Sequence, residues 1–382
     1  MRRPVEKPAL LRHLFVCPGC LQPRRRFATS SPPPPPPPTS GFAPLPSRRL
    51  LSVSGPDAAK FLQGIVTANV LGPDGLPRAH AFYTGFLNAT GRVVYDAFIY
   101  PSPAAHEHGF LVEADAAHVA SLAKYIKRYK LRAKVDLRDV SDDQVTVWQA
   151  WDDAGALEPA ASDSQVVVKD PRAPGLGYRI LRLDAKPPEL HLQPSTEDAY
   201  TVRRYLHGVP EGHDDIIREQ ALPLEANMDT MNGIDFRKGC YVGQELTIRT
   251  KHRGVVRKRI LPCMIYANDE PAPQTLAYSL AHHSSTSAPT ADAIPSETSI
   301  GRVGKRGRSA GKWLKGVGNI GLGLCRLEIM TDVVLPGEQA AASYKPGDEF
   351  VLGWGEAQDA RSVKVKAFVP DWLRAGLSEA HS

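Results

Sequence analysis

The chain of 382 residues is 42% hydrophobic and 23% charged, enough apolar content to build a core without staples. Its net charge of +6 comes from residues 1–40, where Arg2, Arg3, Lys7, Arg12, Arg24, Arg25 and Arg26 face only Glu6; the remainder balances 40 basic against 40 acidic residues, so the charge gives no support to a nucleic-acid partner. No run of about 18 apolar residues is present to form a spanning helix, and five cysteines, an odd number of which the last three are well separated, argue against a disulfide framework and fit a reducing compartment.

The first forty residues are rich in Arg, Leu and Ser and nearly free of acids, the composition of a mitochondrial transit peptide. Leu10, Leu11, Leu14, Phe15 and Val16 can share one helical face beside Arg3, Lys7 and Arg12, and Arg24-Arg25-Arg26-Phe27-Ala28 resembles a matrix processing site. Cys17-Pro18-Gly19-Cys20 lacks the second pair or nearby histidine of a tetrahedral metal site and reads as chance. Pro32 to Pro38 reads as a disordered polyproline spacer.

Folding is expected to begin near Pro46 to Ser52. Ser54-Gly55-Pro56-Asp57 has the form of a helix start, followed by an apolar stripe of Phe61, Leu62, Ile65 and Val66. Residues 80–87 and 92–100 predict strands joined across Asn88-Ala89-Thr90-Gly91, and 109–113 another. A helix is predicted from Ala116 to Tyr129, with Val119, Leu122, Ile126 and Tyr129 on one face. Strands follow at 132–138, 145–151, 165–169 and 178–183, then helices at 197–207 and 213–220. From 256 to 370, short strands with Gly and Pro turns predict a small barrel, interrupted by an Ala, Ser, Thr and Pro stretch at 269–298 that reads as a disordered insertion. Without βαβα alternation, the class expected is α+β with mainly antiparallel sheets.

The chemistry concentrates at Lys238-Gly239-Cys240-Tyr241-Val242-Gly243-Gln244-Glu245. Two glycines bracket the cysteine, and a helix is predicted from Gly243 or Gln244 to about His252, with Gly254 beyond its end. A cysteine just ahead of a helix, beside Arg237 and Lys238, is placed to favour the thiolate, which can ligate iron, attack an electrophile or exchange with another thiol. The competing reading is a buried cysteine in a structural turn. No histidine or second cysteine lies close in sequence, so an iron site at Cys240 needs ligands from a partner, a thiol cofactor or distant parts of the fold. Cys263 and Cys325 lie in apolar segments and read as core residues, and His282-His283 falls in the low-complexity insertion.

This octapeptide resembles the signature of the YgfZ-type folate-binding iron–sulfur assembly factors, a branch of the glycine-cleavage T-protein superfamily. Similar blocks occur in the same order at Phe61-Leu62-Gln63-Gly64, Leu87-Asn88 with Gly91-Arg92-Val93, Lys130 to Val135, Pro223-Leu224-Glu225-Ala226-Asn227, and Gly318 to Arg326. The resemblance covers roughly residues 45–370. It implies a T-protein-like three-part architecture around a central hole for tetrahydrofolate, spanning 45–255, with the barrel domain at 256–370. It also implies late maturation of [4Fe–4S] proteins such as aconitase-type enzymes and lipoate synthase in the mitochondrial matrix, together with A-type scaffold proteins and a transient [2Fe–2S] or [4Fe–4S] cluster. Cys240 carries over as the required cysteine and iron ligand. Lys238, Gly239, Tyr241, Gly243, Gln244 and Glu245 are the cofactor-binding positions expected around it, although Glu245 also reads as a simple first-turn helix acid.

Two departures bear on transferase chemistry. Asp96 is the nearest counterpart of the T-protein's catalytic aspartate, but it follows Tyr95 where that protein has a double aspartate; a structural carboxylate in an apolar strand is the alternative. No glutamate stands in Arg203 to Gly208, where the T-protein has a folate contact. The leading expectation is therefore an assembly factor and not an ordinary enzyme. A folate-dependent aminomethyl- or methyltransferase is the first rival. An RNA-binding module using the basic clusters Lys251 to Arg259 and Arg302 to Lys315 is the second.

Overall fold

The computed structural model describes residues 32–102, 109–140, 145–280, 289–304, 307–335, 344–356 and 359–379. The arginine-rich leader, Cys17, Cys20 and His282-His283 lie outside them. The elements below all belong to one unit, residues 33–382.

The first part is an antiparallel sheet of β2 (Arg48–Ser54), β3 (Phe82–Leu87), β4 (Val93–Pro101), β5 (Gly109–Asp115) and β6 (Asp136–Asp139), in the order β3-β4-β5-β2-β6. Helices α1 (Ala58–Gln63) and α2 (Val119–Lys130) complete it, and Leu62, Val66, Val112, Leu122 and Ile126 share its core. The second part is a sheet in the order β10-β1-β7-β9-β8, from β1 (Ser40–Pro44), β7 (Thr146–Asp152), β8 (Gln165–Lys169), β9 (Tyr178–Arg182) and β10 (Gln193–Pro194). The chain therefore starts in one sheet, builds the other and returns. Helix α3 (Glu197–His207) follows, capped by Thr196 and ended by left-handed Gly208. Next come the single turn α4 (Gly212–Asp215) and the helix α5 (Gln244–Arg253).

The third part is a closed six-stranded barrel in the order β11-β14-β13-β12-β15-β16. Its strands are β11 (Lys258–Tyr266), β12 (Ser299–Arg302), β13 (Gly311–Val317), β14 (Ile320–Arg326), β15 (Phe350–Trp354) and β16 (Arg361–Ala367). The short helix α6 (Leu327–Met330) and the terminal helix α7 (Asp371–Glu379) bury Leu327, Leu373 and Leu377 with Trp313 and Leu352. The α+β class, antiparallel sheets and small barrel are as the sequence predicts. The block Pro223 to Asn227 joins barrel to body: Ile260 N donates to Glu225 O, Asn227 Nδ2 to Ile260 O, and Arg259 pairs with Asp229.

Five local expectations need correction. Ser54 does not cap a helix: it ends β2, and Asp57 takes the N-cap place while its carboxylate accepts from Lys134 N at 2.7 Å. The strand expected at 132–138 starts only at Asp136, because Leu131 turns at φ 41° and Ala133 N folds back onto Lys130 O. The helix expected at 213–220 stops at Asp215, because Glu219 N and Ala221 O pair with Val93 along the edge of the sheet. The ordered chain begins before Pro46, since Pro34 and Pro38 accept hydrogen bonds from Tyr278 and Trp151; the proline run is docked. The ends of the stretch at 269–298 are also placed: Asn319 exchanges hydrogen bonds with Ala277 and Ser279, and Ala291 and Ile294 enter the barrel core. Proline carbonyls and alanine methyls suffice for this docking, which composition alone does not show.

Candidate functional site

The octapeptide is held by a scaffold drawn from distant sequence. After α1, residues 64–70 form a cradle whose backbone does most of the holding. Lys238 Nζ donates to Val66 O (2.6 Å) and Ala68 O (2.8 Å) and lies 5.1 Å from the Tyr241 ring centre. Asp235 N bonds to Thr67 O, Val242 N to Gly64 O, and Thr67 Oγ1 to Gly233 O. Gln63 braces the cradle through Asn69 and Val70, and Asn69 reaches Asp235. Burial pushes the Lys238 ammonium down to about 7.

The helix start is clamped from the other side. Gly243 sits at the N-cap of α5 with φ 76°, and a Cβ there would collide with Asn88 O in the β3–β4 turn; a Cβ on Gly91 in that turn would also crowd Gly243 O, less severely. Gln244 Oε1 accepts from Tyr241 N at 3.1 Å. Gly243→Ala is expected to destabilise the fold by about 2 kcal/mol or more, the left-handed conformation and the clash adding together, as a lowered urea midpoint would record.

These contacts give most of the motif a structural part. Lys238, Tyr241, Gly243 and Gln244 build the loop, and Tyr241 is buried in the main core. Gly239 and Cys240 are exposed, and no neighbour would meet a Cβ at Gly239. Cys240 is thus not the buried turn cysteine of the competing reading. Glu245 lies on the outer face of α5, where a shallow groove runs past Ile248, Arg249, His252 and Arg253. Cys263 and Cys325 are fully buried in the barrel with sulfurs 3.7 Å apart, and their mutual contact and burial push the Cys325 thiol up. Alkylation mapped by mass spectrometry should therefore label Cys240 in the native protein, and Cys263 and Cys325 only after unfolding.

Asp96 lies elsewhere, and no hydrogen bond or ion pair joins it to the thiol loop among the described residues. It is buried on β4, accepting from Gly212 N (3.1 Å) with Arg48 Nη1 3.4 Å away. It belongs to a charge network that the sequence did not disclose. Glu211 is its hub: Oε2 takes Arg172 and Arg179 at 2.5 Å each and the Tyr200 hydroxyl at 3.0 Å. Arg172 also grips Asp170 with two nitrogens, Arg48 bonds Glu113 at 2.8 Å, and Arg204 bonds Asp215. Burial alone would raise Glu211, but Arg179, Arg172, Arg48 and Arg204 hold its carboxyl well below the usual range. The one readable signal was a lone charge inside an apolar strand, as with Glu113 in Phe-Leu-Val-Glu-Ala.

A cavity of about 280 Å³ opens onto this network, lined by Ser47, Arg48, Glu197, Arg204, Glu211 and His213 among others. A second, of about 260 Å³, runs between the body and barrel strands β13 and β14, and Asp215 lines both. The cations of the two basic clusters are largely engaged: Lys258 with Glu225, Arg259 with Asp229, Lys312 with Glu297 and Lys315 with Asp214.

Two mainly antiparallel sheets and a closed barrel make an α+β fold that a solved structure shares. The glycine cleavage system aminomethyltransferase T from Bartonella henselae superposes with a TM-score of 0.59 over 88% of this chain and 86% of its own, at 11% identity. Residues 257–375 match the family model described as CAF17, C-terminal beta-barrel domain. Iron-sulfur cluster assembly factor IBA57 homolog, mitochondrial, of Pyricularia oryzae is 56% identical, covering 97% of this chain and 96% of its own. Its counterparts in Chaetomium globosum (47%; 96% and 94% covered) and Neurospora crassa (46%; 94% and 88%) are similar over the same extent. The chain belongs to this IBA57 family, a mitochondrial one.

Proposed function

We propose that this chain serves iron–sulfur cluster assembly in the mitochondrial matrix by presenting Cys240 to a cluster carried by a partner. The carrying observation is the exposure of that thiol on a firmly braced loop, with no companion ligand among the described residues. The single group of three His, Cys, Asp or Glu side chains close enough to share a metal, among the described residues, does not include Cys240. The remaining cluster ligands then come from outside the chain, and cysteines of an A-type scaffold protein meet that need. The groove on α5 beside the loop is the face on which such a partner docks. The recipients are [4Fe–4S] proteins of the aconitase and lipoate synthase type.

Tetrahydrofolate is the small molecule this reading places in the charged cavity. Arg48 Nη2, on the cavity wall, and Tyr83 Oη, Asp96 Oδ2 and Arg179 Nη1, in the charge network around it, are buried without hydrogen-bond partners. Unsatisfied buried polar atoms of both kinds match the donors and acceptors of a pterin ring. Asp96 and Glu211 would take its N–H groups, and Arg48 and Arg204 its carbonyl or glutamate oxygens. Bound there, the cofactor supplies a carrier for one-carbon units.

The test is reconstitution. The protein is mixed with an A-type scaffold, ferrous iron and a sulfide source and followed by visible absorption. A cluster chromophore that co-elutes with both chains, and is lost with Cys240→Ala, supports the reading. A chromophore indifferent to Cys240→Ala defeats it. Equilibrium dialysis with tetrahydrofolate, comparing wild type with Arg48→Met, tests the cavity separately.

A further inference from the structure

At the rim of the charged cavity, Asp115, His118 and His213 converge. Asp115 ends β5 and caps the 3-10 turn Ala116–His118, whose last residue is His118; His213 comes from α4, 98 positions further on from Asp115. His118 Nδ1 stands 3.4 Å from Asp115 Oδ1, His213 Nδ1 stands 3.8 Å from Oδ2, and one ligand atom from each lies within 4.8 Å of the others. The imidazoles meet edge to face with centres 4.0 Å apart. Side-chain exposures of 20%, 36% and 11% for Asp115, His118 and His213 leave the group partly open.

The protons do not satisfy this arrangement. His213 Nε2 lies 2.8 Å from Val94 O, and a carbonyl only accepts, so Nε2 carries the hydrogen and neutral His213 has its lone pair on Nδ1. Both Nδ1 atoms are buried without a hydrogen-bond partner. A divalent cation resolves all of this at once. Its bonds of about 2.0–2.1 Å to imidazole set ligand atoms about 3.3 Å apart in a tetrahedron, close to the separations observed. The Val94 carbonyl fixing the outer nitrogen is the usual support of a ligating histidine.

We propose that Asp115, His118 and His213 form a binding site for a first-row divalent cation of the Zn²⁺ or Fe²⁺ type, with its open position towards the cavity. Two imidazoles and a carboxylate suit these ions and leave room for water or a cavity ligand. Asp115 and His213 line the same cavity as Arg48 and Glu211. A cation there would offset the acidic groups Asp214, Asp215 and Glu197 that share the wall.

The experiment uses the full chain with Cys17, Cys20 and Cys240 replaced by serine, stripped of metal and titrated with Co²⁺. Saturation at one equivalent is expected, with the visible bands of four-coordinate cobalt and no thiolate charge-transfer band. His118→Gln, at a half-open position that does not threaten folding, should weaken binding at least tenfold, and His213→Ala should do the same. Zn²⁺ and anaerobic Fe²⁺ competition then ranks the two ions. Absence of saturable binding, or binding unchanged in both histidine variants, overturns the proposal.

Discussion

Cys240→Ala is expected to reduce the activity of mitochondrial [4Fe–4S] enzymes to the level seen without the protein, while leaving the fold intact. The side chain is exposed and makes no described hydrogen bond or ion pair, so the urea midpoint should shift by no more than about 0.5 kcal/mol equivalent. Function and stability separate here because the loop is held by its neighbours. Lys238 bonds to Val66 and Ala68, Gln244 to Tyr241, and Gly243 packs on the β3–β4 turn. Aconitase activity in a strain carrying only the variant, read beside the steady-state level of the chain, is the measurement. Wild-type aconitase activity with Cys240→Ala would end the thiol reading.

The second large effect is at Glu211. Glu211→Ala leaves Arg172 and Arg179 without their shared acceptor, both fully buried. Removing one partner of a buried ionic pair costs about 3–5 kcal/mol, because the remaining charge stays desolvated. Chemical denaturation should show a loss of that order. The pH dependence follows from the depressed carboxyl. Folding favours the ionised form, so its contribution is complete above the unfolded value near 4.5 and fades as acid takes the pH down through the lower folded value. The Gln variant should therefore lose part of the acid-side slope of stability that wild type shows. An unchanged slope would mean that other carboxylates dominate it.

What the sequence disclosed followed from local chemistry. The helix at 197–207 was readable from its stripe and its terminal glycine, and α5 from the glycine ahead of it. The hairpin at Asn88 to Gly91 was readable because turn residues punctuate two apolar runs. The exposed thiol was marked by the octapeptide. The charged cavity was not legible, because Arg48, Glu113, Arg172, Arg179 and Glu211 come from separate segments between positions 48 and 211. Each alone resembles the polar face of a strand or loop. The same holds for Asp115, His118 and His213, which only the return of the chain across β4 brings together. The octapeptide was read as a set of cofactor-binding positions around Cys240; that Lys238, Tyr241, Gly243 and Gln244 also hold the loop was not legible, because glycine and lysine in a loop report equally on ligand approach and on backbone packing.

The bracing of the thiol loop has a consequence for biogenesis. Its key hydrogen bonds span 166 to 172 positions, from Val66, Thr67 and Ala68 to Gly233 and Lys238. Contacts of such separation form late, after the intervening chain has been ordered. A nascent or half-folded chain therefore carries the sulfur without its pedestal. A partner that recognises the finished loop, and not the bare thiol, reads the folding state of the first sheet and the middle region together. If Cys240 acts as proposed, maturity of the whole body becomes the condition for its exchange with a partner.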